Sequence, residues 1–352
     1  MHRTPRRLAA AALATALFTL TACGSDSDSE GSDGSNAPDD TNATEGAFPV
    51  TIDHKYGSTT VEEEPERVVT VGLTDQDAVL ALGTVPVGTT DWYGTHEAAL
   101  GPWATDLLGD AELPTLLTDT GTGPQLEEIA LLQPDVIIAQ YAGLTQEQYD
   151  SLSEIAPVVA QPGEYVDYGV PWRQQTETIG RILGHADEAE RLIADVDARF
   201  AEARAAHPEF ADATAIPASP YEGYWVFGSE DPRGRMLADL GFTYPADVDA
   251  VIGAEFGANI SEERTDLLDQ GAIVWSVPDP EEGAEQLHQD PLYRDLAVVT
   301  EGREVFVEEN SDFGVAYGFS SVLSLPYVLD QLVPQLAAAV DGDPATEVPA
   351  AQ

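Results

Sequence analysis

"VPWRQQTETIGRILGHADEAERLIADVDARFAEARAAH", residues 170–207, is the stretch on which the fold turns. Its first part reads as a helix stopped by Gly184, and a second helix follows at once, opened by Asp187 with Glu190 three residues on as a capping box. In the second helix Ala189, Leu192, Ile193, Val196, Phe200 and Ala203 share one face, and Asp187–Arg191 and Asp195–Arg199 are i,i+4 charge pairs. About twenty residues at about 1.5 Å each give a rod of roughly 30 Å, long enough to cross a small domain. Pro208 ends it.

On either side of this rod the pattern alternates between short β-rich runs and helix-length segments. "ERVVTVG" (66–72) leads into "LTDQDAVLALG", "LEEIALLQ" (126–133) precedes "PDVIIAQ", and "YDSLSEI" precedes "APVVAQ". Alternation resumes after the rod with "YWVFGS" (224–229), "RGRMLADLGF", "EERTDLLDQ" and "AIVWSV", and a mostly apolar helix closes the chain at 319–340. Such a pattern predicts α/β sheets with helices on their faces. One echo links the two sides: "EEIALLQPDVII" from Glu127 aligns without a gap on "ERTDLLDQGAIV" from Glu263. A helix feeding a buried strand explains the apolar matches, and the helix dipole favours an acid at each start.

Ahead of the α/β body stands an export leader: Arg3, Arg6 and Arg7, then an apolar run from Leu8 to Leu20 that is too short to span a bilayer. Leu20-Thr21-Ala22-Cys23 resembles a bacterial lipobox, which makes Cys23, the only cysteine, a lipidation site with an acyl chain and not a redox or metal residue. Residues 24–46 are Ser, Asp, Gly, Asn and Thr with no hydrophobic period, a flexible tether. The expected organisation is a signal peptide 1–22, an acidic tether 23–46, an N-terminal lobe 47–186, an inter-lobe helix 187–206, a C-terminal lobe 207–341 and a disordered tail 342–352.

The net charge is −48, with 15 basic against 63 acidic residues; loss of residues 1–22 removes three Arg and no acid and brings it to −51. Such a field repels nucleic acid and anionic headgroups. Enzyme motifs are incomplete: "HEAAL" (96–100) lacks the second His of a zinc helix, "GFSSV" (318–322) lacks the second Gly of a nucleophile elbow, and Lys55, the sole lysine, has no Ser three residues before it. No enzymatic activity and no cofactor are expected, and the His residues are too scattered for direct metal binding. Aromatic side chains, by contrast, recur in loops after strands: Trp92 and Tyr93, Tyr141, Trp172 before the rod, Tyr224 and Trp225, Tyr317. Arg173, Arg233 and Arg235 stand near them in sequence. Ligands of α/β sheets sit beyond the carboxyl ends of the strands, so these ten residues are the candidate ligand contacts.

The lipobox, the tether, "PERVVTVGLTDQDAVLALGTVPVGTTDWYG", "LEEIALLQPDVIIAQ", "ETIGRILGHADEAERLIADVDARF" and "FSSVLSLPYVLDQLV", in this order and spacing, resemble the iron-siderophore substrate-binding lipoproteins of ABC importers, the FecB/FhuD type of the periplasmic-binding family. The resemblance implies two Rossmann-like lobes joined by a single long helix, a helical-backbone class III substrate-binding protein with small domain closure. It also implies an iron(III)-siderophore ligand between the lobes, ABC permease subunits as partners, a monomer anchored through Cys23 to the outer face of the cell membrane, and docking of Glu127 and Glu263 on the permease. With only Lys55 and eleven Arg in the mature chain, a neutral or cationic ferric hydroxamate suits the charge better than a tris-catecholate. Corrinoid or haem binding, or a surface lipoprotein without transport, are the alternatives.

Overall fold

The computed structural model describes residues 46–91, 94, 96–118 and 123–351. The expected signal peptide, Cys23, the tether up to residue 45, Trp92 and Tyr93 lie outside the described residues.

The first element of the described residues is a hairpin of β1 (Val50–His54) and β2 (Gly57–Val61), antiparallel, with alternate side chains buried. The strands β3 (Val68–Thr70), β4 (Gly88–Asp91), β5 (Thr115–Thr118), β6 (Val136–Ala139) and β7 (Val158–Ala160) form a parallel sheet in the order β5-β4-β3-β6-β7, interleaved with helices α1 (Asp75–Ala81), α2 (Leu126–Leu131) and α3 (Gln146–Ser153). Every residue of β3, β6 and β7 is buried. These strands are runs of Val, Ile and Ala because a parallel sheet is covered on both faces.

Helix α4 (Trp172–Ile182) turns at Gly184, φ +75°, into α5 (Ala186–Ala206), the expected rod. Gly180 allows the close approach of the two helices, since a Cβ there would stand 2.5 Å from the Ala189 Cβ. The apolar face is as expected: Ala189, Val196 and Phe200 are buried and Leu192, Ile193 and Ala203 pack against the same core. The start of the rod differs. His185 occupies the N-cap, with Ala189 N–H on its carbonyl at 3.0 Å, so Asp187 lies in the first turn and makes no capping box. The charge pairs differ too: Arg191 takes Glu188, one residue closer, and Arg199 reaches out of the helix to Asp330.

The second sheet contains β8 (Ala215–Ser219), β9 (Tyr224–Phe227), β10 (Gly257–Ile260), β11 (Ala272–Val277) and β12 (Glu304–Glu308) in the order β10-β9-β8-β11-β12. β8, β11 and β12 are parallel, and β9 and β10 add antiparallel pairings at one edge. Around it lie α6 (Pro232–Asp239), α7 (Ala246–Ile252), α8 (Pro280–Gln289), α9 (Ala297–Thr300), α10 (Asp312–Gly318) and α11 (Ser324–Ala339). The internal echo now has a structural basis: β6 and β11 hold the same fourth place in their sheets, and each is preceded by a short helix, α2 and the 3-10 helix Glu262–Leu268, with exposed Glu127 and Glu263 in their first turns.

One buried core runs through both lobes. It joins Val136 and Ile138 of the first sheet to Val274 and Val305 of the second by way of Trp172, Ile179, Val196 and Phe200 of α4 and α5 and Leu329 and Leu332 of α11. Separate clusters cover the outer faces of the two sheets. Past residue 341, where no order is expected from sequence, Val348 packs on the central core and the Gln335 side chain donates to the Pro349 carbonyl at 3.0 Å.

Candidate functional site

The carboxyl ends of β3 and β6 face those of β8, β11 and β12 across a cleft of about 450 Å³. Leu73, Tyr141 and Tyr168 form its N-terminal wall; Phe227, Phe256 and Phe319, with Asp231, Arg233 and Glu309, form much of the other.

The N-terminal wall is held from behind by a buried carboxylate. Asp75, the first residue of α1, accepts the Gln140 N–H at 2.8 Å, and Leu73 N–H donates to the Tyr141 carbonyl at 3.1 Å, so the loop after β6 is fixed to the loop after β3. Burial pushes the Asp75 carboxyl up to about 7, against the pull of the Gln140, Tyr141 and Gly72 N–H groups. Gly72 is needed there, because a Cβ would stand 2.1 Å from the Asp75 carboxylate. The Tyr141 ring meets Tyr168 edge-on at 5.8 Å, and Tyr168 takes a left-handed φ of +65° that costs about 1 kcal/mol.

On the C-terminal wall, Asp231 caps α6, accepting the Arg233 N–H at 2.9 Å, and at the same time receives the Arg233 side chain: Nε on Oδ1 at 2.7 Å and Nη2 on Oδ2 at 2.8 Å. The Arg233 guanidinium lies 3.4 Å over the Phe227 ring. Although burial opposes it, Asp231 keeps the guanidinium pKa above its ordinary value. Gly314 lets α10 sit on the end of β12, where a Cβ would meet the Glu308 carbonyl at 1.9 Å. Two contacts tie the lobes beside the cleft: Asp77 on α1 accepts both Trp103 Nε1–H, at 2.8 Å, and the Ser321 hydroxyl, and His96 Nε2 lies 2.9 Å from Asp312 at the start of α10.

Of the candidates that lie within the described residues, Tyr141 and Arg233 line the cleft. Trp225 adjoins it, on the face of β9 that carries Phe227 and 5.7 Å from the Phe256 ring. Tyr224, one residue earlier, points to the opposite face, because side chains alternate along a strand. It packs with Trp275 and Tyr293 and donates its hydroxyl to Asp290. Trp172 is buried beneath the Arg173 guanidinium, and Arg173 itself braces α4 against Asp197 of α5 and Asp239 of α6. Arg235 pairs with Glu230 and donates to the Gly169 carbonyl, spanning the lobes outside the cleft. Tyr317, on α10, is fully buried, next to Phe313.

Sequence reasoning missed Asp231, Phe227, Phe256 and Glu309. Glu309 and Leu73 carry a usable signal: Glu309 follows directly on β12, and Leu73 stands three residues past the end of β3, both strands running parallel into the cleft.

Two α/β lobes on a shared helix, with a ligand-sized cleft between the carboxyl ends of their sheets, define a class III solute-binding protein. The chain belongs to the periplasmic binding protein family, whose model matches residues 68–309. Among curated relatives, the Fe(3+) dicitrate-binding periplasmic protein FecB of Escherichia coli is 26% identical over 274 residues, 75% of this chain and 84% of that protein. Among solved structures, a periplasmic solute binding protein of Mycobacterium smegmatis is 34% identical with a TM-score of 0.72, covering 83% of this chain and 98% of that one. The iron-uptake substrate-binding protein PiaA of Streptococcus pneumoniae, solved with ferrichrome, is 27% identical with a TM-score of 0.73, covering 83% of this chain and 99% of that one. Among the described residues no helix is long and apolar enough to cross a membrane.

Proposed function

We propose that the protein is the extracytoplasmic substrate-binding component of an ABC importer, capturing a ferric siderophore of hydroxamate type between its lobes and delivering it to the permease. The observation that carries this reading is the inter-lobe cleft of about 450 Å³, walled by Tyr141, Tyr168, Phe227, Phe256 and Phe319. Aromatic faces suit a compact chelate that presents methylene loops around a metal centre. An iron(III) chelate is supported by relatives whose names carry ferric citrate, and the hydroxamate class by a structural relative solved with ferrichrome. The test is titration of the purified mature protein with ferric hydroxamates, following tryptophan fluorescence. Saturable quenching is expected; tight binding of a ferric tris-catecholate with no response to any hydroxamate would overturn the ligand class.

Delivery is proposed to use Glu127 and Glu263, exposed at equivalent places in the two lobes, as contacts for basic residues of the permease. The double replacement Glu127→Ala, Glu263→Ala is expected to abolish uptake while ligand affinity is retained; uptake retained with weakened binding would refute the assignment. Anchoring is proposed through an acyl chain on Cys23. Mass spectrometry of the mature N-terminus should find a lipidated Cys23, and Cys23→Ala should appear in the medium.

A further inference from the structure

Arg233 is the only basic side chain among the described residues lining the cleft. A guanidinium in such a place ordinarily receives an anion, because its planar fork fits a carboxylate or a catecholate oxygen pair. Here the fork is occupied. Nε and Nη2 both end on Asp231, at 2.7 and 2.8 Å, and Asp231 is buried, so the pair is sheltered from water. Only Nη1 remains: no described residue accepts from it, and it lies on the side of Gly318 of α10, where a Cβ would come to 3.9 Å. A second acid, Glu309, lines the cleft just past β12, and its carboxylate makes no ion pair among the described residues. The charged lining is therefore one base against two acids.

We infer that Asp231 sets the charge selectivity of the cleft: by holding the fork of Arg233 it leaves a neutral-seeking N–H donor where an anion receptor would otherwise stand, and Glu309 adds an attraction for a ligand ammonium. The inference rests on the siderophore reading above and narrows it to chelates without net negative charge. Nη1 suits a neutral carbonyl oxygen. A ligand anion would meet buried Asp231, where water screens little, and exposed Glu309, with only a compensated cation to offset them. Among acceptable ligands, one with a pendant ammonium gains from Glu309.

The test measures dissociation constants for three ferric chelates of graded charge: ferrioxamine B, with its free ammonium, neutral ferrichrome, and anionic ferric dicitrate. The wild-type protein is expected to bind the first two more tightly than the third. Asp231→Asn keeps an oxygen to cap α6 but frees the fork, and should move the dicitrate-to-ferrichrome ratio by about tenfold or more toward dicitrate. Glu309→Gln should weaken ferrioxamine B more than ferrichrome. A merely structural role for Asp231 would weaken all three alike, so an unchanged ratio in Asp231→Asn, or a wild-type preference for dicitrate, overturns the inference. Should Asp231→Asn fail to fold, Asp231→Ser, which also supplies a capping oxygen, is judged by the same ratio. Failure of the wild-type protein to bind any of the three chelates would instead refute the siderophore reading, and the inference with it.

Discussion

Asp75 is a carboxyl group buried without a cationic partner; only backbone N–H groups offset its loss of water. Its carboxyl is pushed up to about 7, and that of Asp77 to about 6, also by burial. A raised carboxyl contributes its stability fully below the ordinary carboxylate range, near pH 4, and loses it as pH rises through the folded value. The melting temperature should therefore fall between about pH 4 and pH 7, and Asp75→Asn, which cannot ionise, should reduce that fall by several degrees; identical slopes in thermal melts would exclude Asp75 as a source. At the same scale, Tyr141→Ala removes the ring that faces Tyr168 and should weaken chelate binding by about tenfold in a fluorescence titration. Residue by residue, the cleft was only partly legible. Tyr141 and Arg233 announced themselves by type and by position near strand ends. Asp231 did not, because a carboxylate beside an arginine in sequence can as well be a solvated neighbour, and only the fold shows its fork closed. The stretch Tyr224–Phe227 is apolar at all four positions, so no alternation of polarity told which two would face the ligand.

At the level of elements, the long helix was readable to within a residue, since six apolar positions at helical spacing fix both its existence and its inner face. Phe200 is the largest of them that is buried, and Phe200→Ala should cost about 3–5 kcal/mol in chemical unfolding. Gly180→Val, which drives a side chain into Ala189, should cost about 1–3 kcal/mol through overpacking where α4 meets α5. A loss below 0.5 kcal/mol for Gly180→Val, measured the same way, would mean the helices part easily there. The charged positions of the rod were less legible than its apolar ones. Spacing offered Arg199 a partner within its helix, but α11, some 130 residues further on, presents Asp330 to it. Exposed ion pairs differ so little in energy that a distant partner readily displaces a local one.

For the molecule as a whole, two lobes followed from length and alternation, whereas the single core that threads them did not. Which apolar faces meet is decided by how the sheets, α5 and α11 stack, and residues as far apart as Val68 and Leu336 share that core. Domain closure should accordingly be small: the radius of gyration in solution scattering is expected to change by less than about 1 Å on saturation with ligand. The net charge also acts at this scale. With 63 acids against 15 bases, the melting temperature should rise as sodium chloride is raised from about 10 to 150 mM, because the Debye length falls from about 30 to 8 Å and the like charges cease to repel across the body. The shared core has a mechanical consequence. A receptor with a soft hinge springs open by itself and lets its cargo go; one whose halves are welded by Trp172, Phe200 and Leu332 has no such spring. Unloading must then be driven from outside, by whatever grips the two lobes and pries them, and the same stiffness holds the lobes at one spacing around their contents until then.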